Sequence, residues 1–358
     1  MIRRVLAKKV PTKRLFLFNL VMDESDFVLA AASDWAYEFT KHFDNVYVFS
    51  TRVGKYKPKN NLKVIETGGG GLLKRVWAIC KILWWCKILK PNRTDLAFHH
   101  MSTKTLIVPG LIFKALRVPQ GIWYSHSKAD KFLKLGIYLS PTIFSPTSSS
   151  FPLKKNNLKV NVVGHGIKIQ KEVSEGEFLG TRNIDVLFVG RIARIKKIEQ
   201  MITCIASVNE LSSGLPMRGV IVGPVTDKDY LRELQNLANK LSVNIEFRAP
   251  VDRLKLGQTY LDADVLFSNT PNSTDKVAIE AAMLGCFVIS TESETIKICG
   301  MSDTLGAWVN SLESQLKFIR QMSPIEKTKL RWTMSQMVQG ANNLEGFIDN
   351  LVRILNAK

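Results

Sequence analysis

Asp264-Val-Leu-Phe-Ser-Asn-Thr-Pro-Asn-Ser-Thr-Asp-Lys-Val-Ala-Ile-Glu-Ala-Ala-Met-Leu-Gly-Cys-Phe-Val-Ile-Ser290 is the stretch that decides the fold. It reads as an apolar strand, a polar turn, a short helix and a second apolar strand, the form of a parallel β-α-β unit. The turn falls at the carboxyl end of the first strand. The unpaired amide groups of the helix start and one acidic side chain, Glu280, therefore gather where α/β sheets bind nucleotides.

The same alternation of short apolar runs and longer helical patterns extends in both directions. Strands are predicted over 15–20, 46–50, 62–66, 96–99, 121–124, 142–144 and 160–163 in the first half, and over 184–190, 218–223, 244–248, 264–268 and 287–291 in the second. Helices are predicted over 28–42, 72–90, 103–116, 197–212, 227–242 and 276–284, the sequence form of parallel sheets with crossover helices. The alternation restarts after the polar segment 168–183. The expected organisation is thus a Rossmann-like domain over 1–170, a second over 171–340, and a terminal segment over 341–358. Phe347, Ile348, Leu351, Val352, Ile354 and Leu355 space that last segment as an amphipathic helix packing on a domain surface, with the N-terminal domain as its expected seat.

At 358 residues and 46% apolar, the chain is long enough for two cores. Its formal charge of +19 is unevenly placed: residues 1–170 hold 28 Lys and Arg against 9 Asp and Glu, and residues 171–358 hold 22 against 22. The first half is expected to face something anionic, such as a phospholipid surface, a phosphorylated acceptor or nucleic acid. Cys80, Cys86, Cys204, Cys286 and Cys299 form no CxxC pair, which reads as a reduced, cytoplasmic chain without structural zinc. The basic N-terminus is followed by a short apolar run ending at Asp23-Glu24 with no small-residue cleavage site, so a first strand is expected in preference to a signal peptide.

The second half opens with a buried strand ending at Gly190, followed by Arg191, Arg194, Lys196 and Lys197. Glycine lets a backbone approach a ligand closely and the cations neutralise phosphates; a plain solvated basic turn is the alternative. Joined to the later segment, these residues resemble the family-four glycosyltransferases. Gly190, Arg191 and Lys196 match that family's Gly-Arg with a Lys five residues on. Glu280-Ala-Ala-Met-Leu-Gly285-Cys-Phe-Val matches the end of its Glu-containing block, and Trp123-Tyr-Ser-His126 and Val163-Gly-His165-Gly166-Ile167 resemble its central His and interdomain segments, in the same order.

The resemblance implies a GT-B architecture, two Rossmann-like domains facing across a cleft with the donor in the C-terminal one. It implies that Arg191 and Lys196 hold the diphosphate of a nucleoside diphosphate-sugar and stabilise the charge on it as the sugar leaves. Glu280 would then accept hydrogen bonds from the ribose, Thr274, Asp275 and Lys276 would meet the phosphate or sugar with their amides, and His126 would lie near the sugar hydroxyls. Retention of configuration is implied, and neither metal nor other cofactor is expected.

Several positions depart from the pattern. Asn272 stands where the family has its first Glu, Ser273-Thr274-Asp275 replace Gly-Phe-Gly, and Lys168 stands in place of the interdomain Asp. Asp275 either substitutes for the missing carboxylate or caps the helix. The glycine pair after the first strand is absent from Leu20-Val-Met-Asp23, and Gly68–Gly71 reads instead as a mobile loop on the acceptor side. One of His99 and His100 is expected to line the cleft, and His165 to mark the hinge.

The segment 72–90, with Trp77, Trp84 and Trp85 among Lys74, Arg75, Lys81, Lys87 and Lys90, has an apolar run far below the roughly 20 residues that span a bilayer. It reads either as a core helix with snorkelling lysines or as an interfacial element on anionic lipid. The resulting expectation is a cytoplasmic enzyme, peripheral on the inner face of the membrane, moving a sugar to a lipid-linked or cell-surface glycan in polysaccharide biosynthesis. A non-catalytic sugar- or nucleotide-binding partner protein is the first rival. A nucleic-acid-binding protein is the second, and the embedding of the aromatic residues in apolar elements speaks against nucleic acid.

Overall fold

The computed structural model describes residues 13–26, 29–126, 128–139, 142–147, 150–153, 158–169, 171–178, 185–211, 214–271, 274–301 and 311–357. It divides into two compact units, one made of Met1–Gly166 with Leu344–Lys358 and the other of Ile167–Asn343.

The first unit is built on seven parallel strands, β1 (Arg14–Met22), β2 (Asn45–Val53), β3 (Leu62–Glu66), β4 (Leu96–His100), β5 (Gln120–Trp123), β6 (Thr142–Ser145) and β7 (Val160–Val162), in the order β3-β2-β1-β4-β5-β6-β7. Both faces of β1 are buried, as a parallel sheet requires. Leu15 and Leu17 point into a core with Trp35, Phe39 and Phe98, while Phe16 and Phe18 enter another with Phe49, Ile82 and Phe113. Among the described residues before 166, the helices that accompany the sheet are α1 (Ala31–Phe39), α2 (Leu72–Leu89), α3 (Val108–Ala115) and α4 (Lys131–Gly136).

The second unit has five parallel strands, β8 (Asp185–Val189), β9 (Arg218–Val222), β10 (Ile245–Arg248), β11 (Val265–Phe267) and β12 (Phe287–Ile289), ordered β10-β9-β8-β11-β12. Its helices are α5 (Ile198–Glu210), α6 (Lys228–Lys240), α7 (Leu256–Leu261), α8 (Lys276–Met283), α9 (Ser293–Ile298), α10 (Leu312–Gln321) and α11 (Pro324–Asn342). The last helix of the chain, α12 (Leu344–Asn356), belongs to the first unit, where Phe347, Ile348, Leu351 and Leu355 join the core around Trp35.

Each strand read from the sequence is present, within two residues at its ends except for β2, which runs three residues past the expected end at 50. The helices differ more. The short α4, α7 and α9 offer too few turns for a period to show. The long α11 escaped because its buried face is largely polar: Thr328, Arg331, Ser335 and Asn342 lie inward together with Met334 and Val338, so hydrophobic periodicity gives no signal. Its start is nevertheless written locally, with Pro324 in the first turn and a capping box between Ser323 and Glu326.

Arg331 explains why α11 can bury polar groups. Its guanidinium pairs with Asp264 at 2.7 Å, donates to the Gly285 carbonyl at 2.8 Å and to that of Ala263 at 3.2 Å, and lies over the Phe178 ring. Both charged side chains are under a tenth exposed. Removing one partner would strand the other charge and two carbonyls. Arg331→Ala is therefore expected to destabilise the second unit by about 3–5 kcal/mol, read as a lowered midpoint in denaturant unfolding; an unchanged midpoint would show the pair to be dispensable.

Candidate functional site

In the second unit, the chain leaves β8 toward β9 and leaves β11 toward β12, in opposite directions along the sheet. The carboxyl ends of β8 and β11 are thus the switch point of the sheet, where a crevice forms between diverging connections. The two segments singled out from sequence, the basic turn and the Glu280 helix, are the connections that start there.

Gly190 follows β8 with φ +153, and Gly223 follows β9 with φ +151. A Cβ on Gly223 would stand 1.9 Å from the Gly190 carbonyl oxygen, so the two backbones approach as only glycine allows. Pairing continues past them: the Ile192 N–H donates to the Pro224 carbonyl at 2.9 Å, and Thr226 donates to the Ile192 carbonyl. This extension launches a short 3₁₀ turn, Arg194–Lys196, and then α5 through Lys197, which holds φ +51.

The turn sorts its cations. Arg194 is taken by the surface, paired with both oxygens of Glu233 at 2.6 and 2.7 Å and lying against the Tyr230 ring. Arg191 is exposed and makes no hydrogen bond or ion pair among the described residues. Lys196 turns inward: its side chain is 12% exposed, and its Nζ donates to the two Asp275 oxygens at 2.8 and 2.7 Å and to Thr270 Oγ1 at 3.1 Å. The Thr270 hydroxyl donates in turn to Asp275 at 2.6 Å. The structure thus joins Lys196, from the β8 connection, to Asp275, from the β11 connection, 79 residues apart in sequence.

Asp275 sits at the N-cap position of α8, yet its side chain caps nothing. Its oxygens face Lys196 and Thr270 instead, so the capping role open to it in the sequence is not the one it takes. Lys276 opens α8, and the Thr274 hydroxyl meets that of Thr295 at 3.2 Å. Glu280 follows one turn on, half-buried, and its carboxylate accepts from the Tyr260 hydroxyl at 3.2 Å. Burial, and then the Glu280 charge, raise the Tyr260 pKa well above its ordinary value, so the hydroxyl stays a donor. Asn272 and Ser273 lie outside the described residues.

Asn269 was not anticipated from the sequence. Only 1% exposed, it donates to Gln200 Oε1 on α5 at 2.5 Å and accepts at 2.8 Å from both the backbone N–H and the hydroxyl of Thr291, beyond β12. One side chain thereby ties the ends of three connections together. Its signal was the polar run Ser268-Asn269-Thr270 directly after a buried strand; Thr270, which fixes Lys196, belongs to the same run.

His126, in the first unit, is exposed in the loop after β5, with its Nδ1 accepting from the Lys128 N–H at 3.3 Å. His99 and His100 do not present a ring to a site, contrary to expectation. Both are buried: His99 stacks on Phe18 at 4.8 Å and bonds Thr105, and His100 stacks on Trp35 at 4.2 Å. Burial pushes the His99 pKa down to about 3, so its ring is a neutral core group. His165 is buried one residue before the first unit ends.

Residues 183–314, which contain this whole arrangement, match the family described as glycosyl transferases group 1. Similar solved structures cover nearly all of the chain. The HepE protein of Anabaena in complex with UDP has a TM-score of 0.73 at 14% identity, covering 97% of this chain and 100% of its own. Sucrose-phosphate synthase from Thermosynechococcus elongatus reaches 0.72 at 15% identity, covering 96% and 99%. A trehalose-6-phosphate structure from E. coli bound with UDP-2-fluoro glucose reaches 0.68 at 11% identity, covering 96% and 98%. Among curated proteins, none matches by sequence. The fold is GT-B.

Asn269 supplies a prediction independent of ligand. Asn269→Ala leaves Gln200 and the Thr291 N–H without their partner in a buried setting, and is expected to cost about 1–3 kcal/mol. Thermal unfolding checks this, and a melting temperature equal to that of the parent chain would contradict it.

Proposed function

We propose that this chain is a glycosyltransferase that takes a sugar from a nucleoside diphosphate-sugar bound at the β8/β11 switch point of the second unit. The observation that carries the reading is the inward Lys196, fixed by Thr270 and Asp275 at the point where two connections diverge, inside the segment that matches group 1 glycosyl transferases. A diphosphate entering there competes with Asp275 for Lys196 and meets Arg191, which is free to turn toward it. Two cations on the leaving diphosphate stabilise the charge that develops in the transition state, and a single well-placed group of this kind contributes about 3–4 kcal/mol. With those charges supplied by side chains, the reading needs no metal.

Glu280, oriented by Tyr260, accepts from the ribose. The UDP and UDP-sugar named for similar structures favour uridine as the base. The reaction is of the retaining type, with the leaving phosphate serving as base for the incoming hydroxyl. The acceptor is a lipid-linked or cell-surface glycan.

A membrane location is supported by α2. At about 100° per residue, its inward stripe is narrow, Ile82 and Cys86 with Trp85 and Leu89 partly covered, whereas Leu73, Val76, Trp77, Leu83, Trp84 and Ile88 all face outward. Trp77 is 62% exposed and Trp84 57%. A core helix with snorkelling lysines leaves these outward apolar side chains unexplained; an apolar outer face flanked by Lys74 and Lys81 on one side and Lys90 on the other, with Lys87 within it, suits the headgroup region of an anionic leaflet. Each such cation contributes about 1 kcal/mol there. Among the described residues, no helix is long and apolar enough to cross a membrane.

Calorimetric titration with UDP, GDP and ADP tests the donor site. One nucleotide is expected to bind selectively, and Lys196→Ala to weaken it about 10- to 100-fold, the worth of a charge-assisted hydrogen bond, while cutting turnover by a larger factor. The anomeric configuration of the product, read by NMR, is expected to equal that of the donor. Absence of nucleotide binding by folded protein would favour the non-catalytic partner reading. Co-sedimentation with anionic vesicles is expected to fall about tenfold or more in the Trp77→Ala/Trp84→Ala double variant, and to weaken with salt; vesicle binding unaffected by both changes would remove α2 from the contact.

A further inference from the structure

A cavity of about 740 Å³ opens in the first unit where β2 and β3 end and α2 begins. Its wall includes Gly68, Gly69 and Gly70, whose conformation the chain enforces. Gly68 holds φ +78 and Gly70 φ +123, and a Cβ on Gly69 would stand 2.5 Å from the Thr51 side chain. Arg75 clamps the loop from the helix by donating to the Gly70 carbonyl at 3.0 Å. The wall is therefore bare backbone held in place, which leaves room for a ligand to come close.

Arg52, Lys74 and Lys81 line the cavity, against the one lining carboxylate of Glu66. Lys81 is positioned by two contacts: its Nζ donates to the Glu66 carbonyl at 2.6 Å and lies 5.0 Å from the centre of the Trp77 ring. Arg52 is paired with Asp26. Lys74 makes no hydrogen bond or ion pair among the described residues, so its charge is uncompensated at the cavity wall. Lys74 and Lys81 are seven residues apart and share a face of α2. No acidic residue occupies the first turn of that helix and no side chain caps it, so the helix itself brings no carboxylate to the cations at its start.

Trp77 belongs both to the cavity wall and to the outward apolar face of α2. An anion in the cavity thus lies beside a continuous apolar track through Leu73, Trp77 and Trp84. A small free anion would use only the cations and an apolar peptide only the track. A lipid with a phosphorylated head uses both.

We propose that this cavity binds the phosphate-bearing headgroup of a lipid, with the tail along the outer face of α2. The inference rests on the proposed transferase acting at a membrane surface and deepens it, since it makes the acceptor a lipid recognised through its phosphate. Arg52, Lys74 and Lys81 neutralise the phosphate by charge-assisted hydrogen bonds, which favour a phosphomonoester or diphosphate over a singly charged phosphodiester.

The test is co-sedimentation of the full chain with phosphatidylcholine vesicles carrying either phosphatidic acid or phosphatidylglycerol at matched surface charge. The parent chain is expected to prefer phosphatidic acid by about tenfold or more, which corresponds to a single charge-assisted hydrogen bond. Lys74→Ala and Lys74→Ala/Lys81→Ala are expected to erase the preference. Lys87→Ala, which removes the same charge from the same helix outside the cavity, is expected to lower binding to both vesicles and keep the preference. A preference that survives in the Lys74 variants, or that Lys87→Ala erases equally, overturns the proposal in favour of diffuse surface charge. Full release from the vesicles by millimolar inorganic diphosphate, with equal affinity for a soluble phosphorylated sugar, overturns the lipid source. UDP titration of the same preparations separates the two levels: nucleotide binding without any lipid preference sinks this inference alone, whereas loss of nucleotide binding in folded parent protein sinks the reading beneath it.

Discussion

The divergence of β8 and β11 is the constraint on which the second unit depends. The strands lie side by side and parallel, but β8 connects outward to β9 and β11 connects the other way to β12. Right-handed crossovers that move in opposite directions must place α5 and α8 on opposite faces of the sheet. The two helix starts separate there, and the gap between them is filled by whatever side chains the turns supply. In this chain they supply a lysine, a threonine and an aspartate from one side of the gap to the other, with Asn269 beneath them tying the connections together. The glycines at 190 and 223 complete the arrangement, since any side chain at 223 would push β9 away from the β8 connection. Charge placement at the site is thus a consequence of strand order.

Asp275 gives this crevice a character of its own. Where the family pattern has a glycine, the chain has a carboxylate that grips the inward lysine with both oxygens. The ion pair keeps Lys196 oriented and its charge compensated while no anion is bound, which lowers the cost of holding a half-buried ammonium group away from water. On the proposed reading, a diphosphate displaces that carboxylate. Affinity at such a site is a difference between two ion pairs, and it depends on the partner being replaced as much as on the one arriving.

The first unit shows the opposite economy of charge. Its aromatic residues do most of the packing, with Trp35 in contact with Phe98, His100, Trp123 and Phe347. The histidines at the end of β4 are absorbed into that aromatic core, His99 as a neutral ring. On α2 the basic residues are joined on the outside by the exposed apolar side chains of Leu73, Val76, Trp77, Leu83, Trp84 and Ile88. A helix with its larger apolar face outward is unfavourable in water by about 25 cal/mol for each Å² exposed, and large exposed apolar patches mark surfaces that meet something else.

The sequence by itself determined the strands, their parallel alternation and the two-unit plan, because buried parallel strands are written as short runs of apolar residues that need no knowledge of their neighbours. It also marked Gly190, Arg191, Lys196 and Glu280 as candidates, the basic turn through its local composition and the set as a whole only through a resemblance to a known family pattern. Tertiary structure alone decided which cation turns inward, since Arg194 is captured by Glu233 and Lys196 by Asp275, each through a partner far along the chain. It alone showed α11, whose inward polar face is satisfied by carbonyls and by Asp264 from other elements. It alone oriented α2 as well: periodicity gives the arc of each side chain around a helix axis, but only packing against Phe16, Phe49 and Phe113 settles which arc is inside.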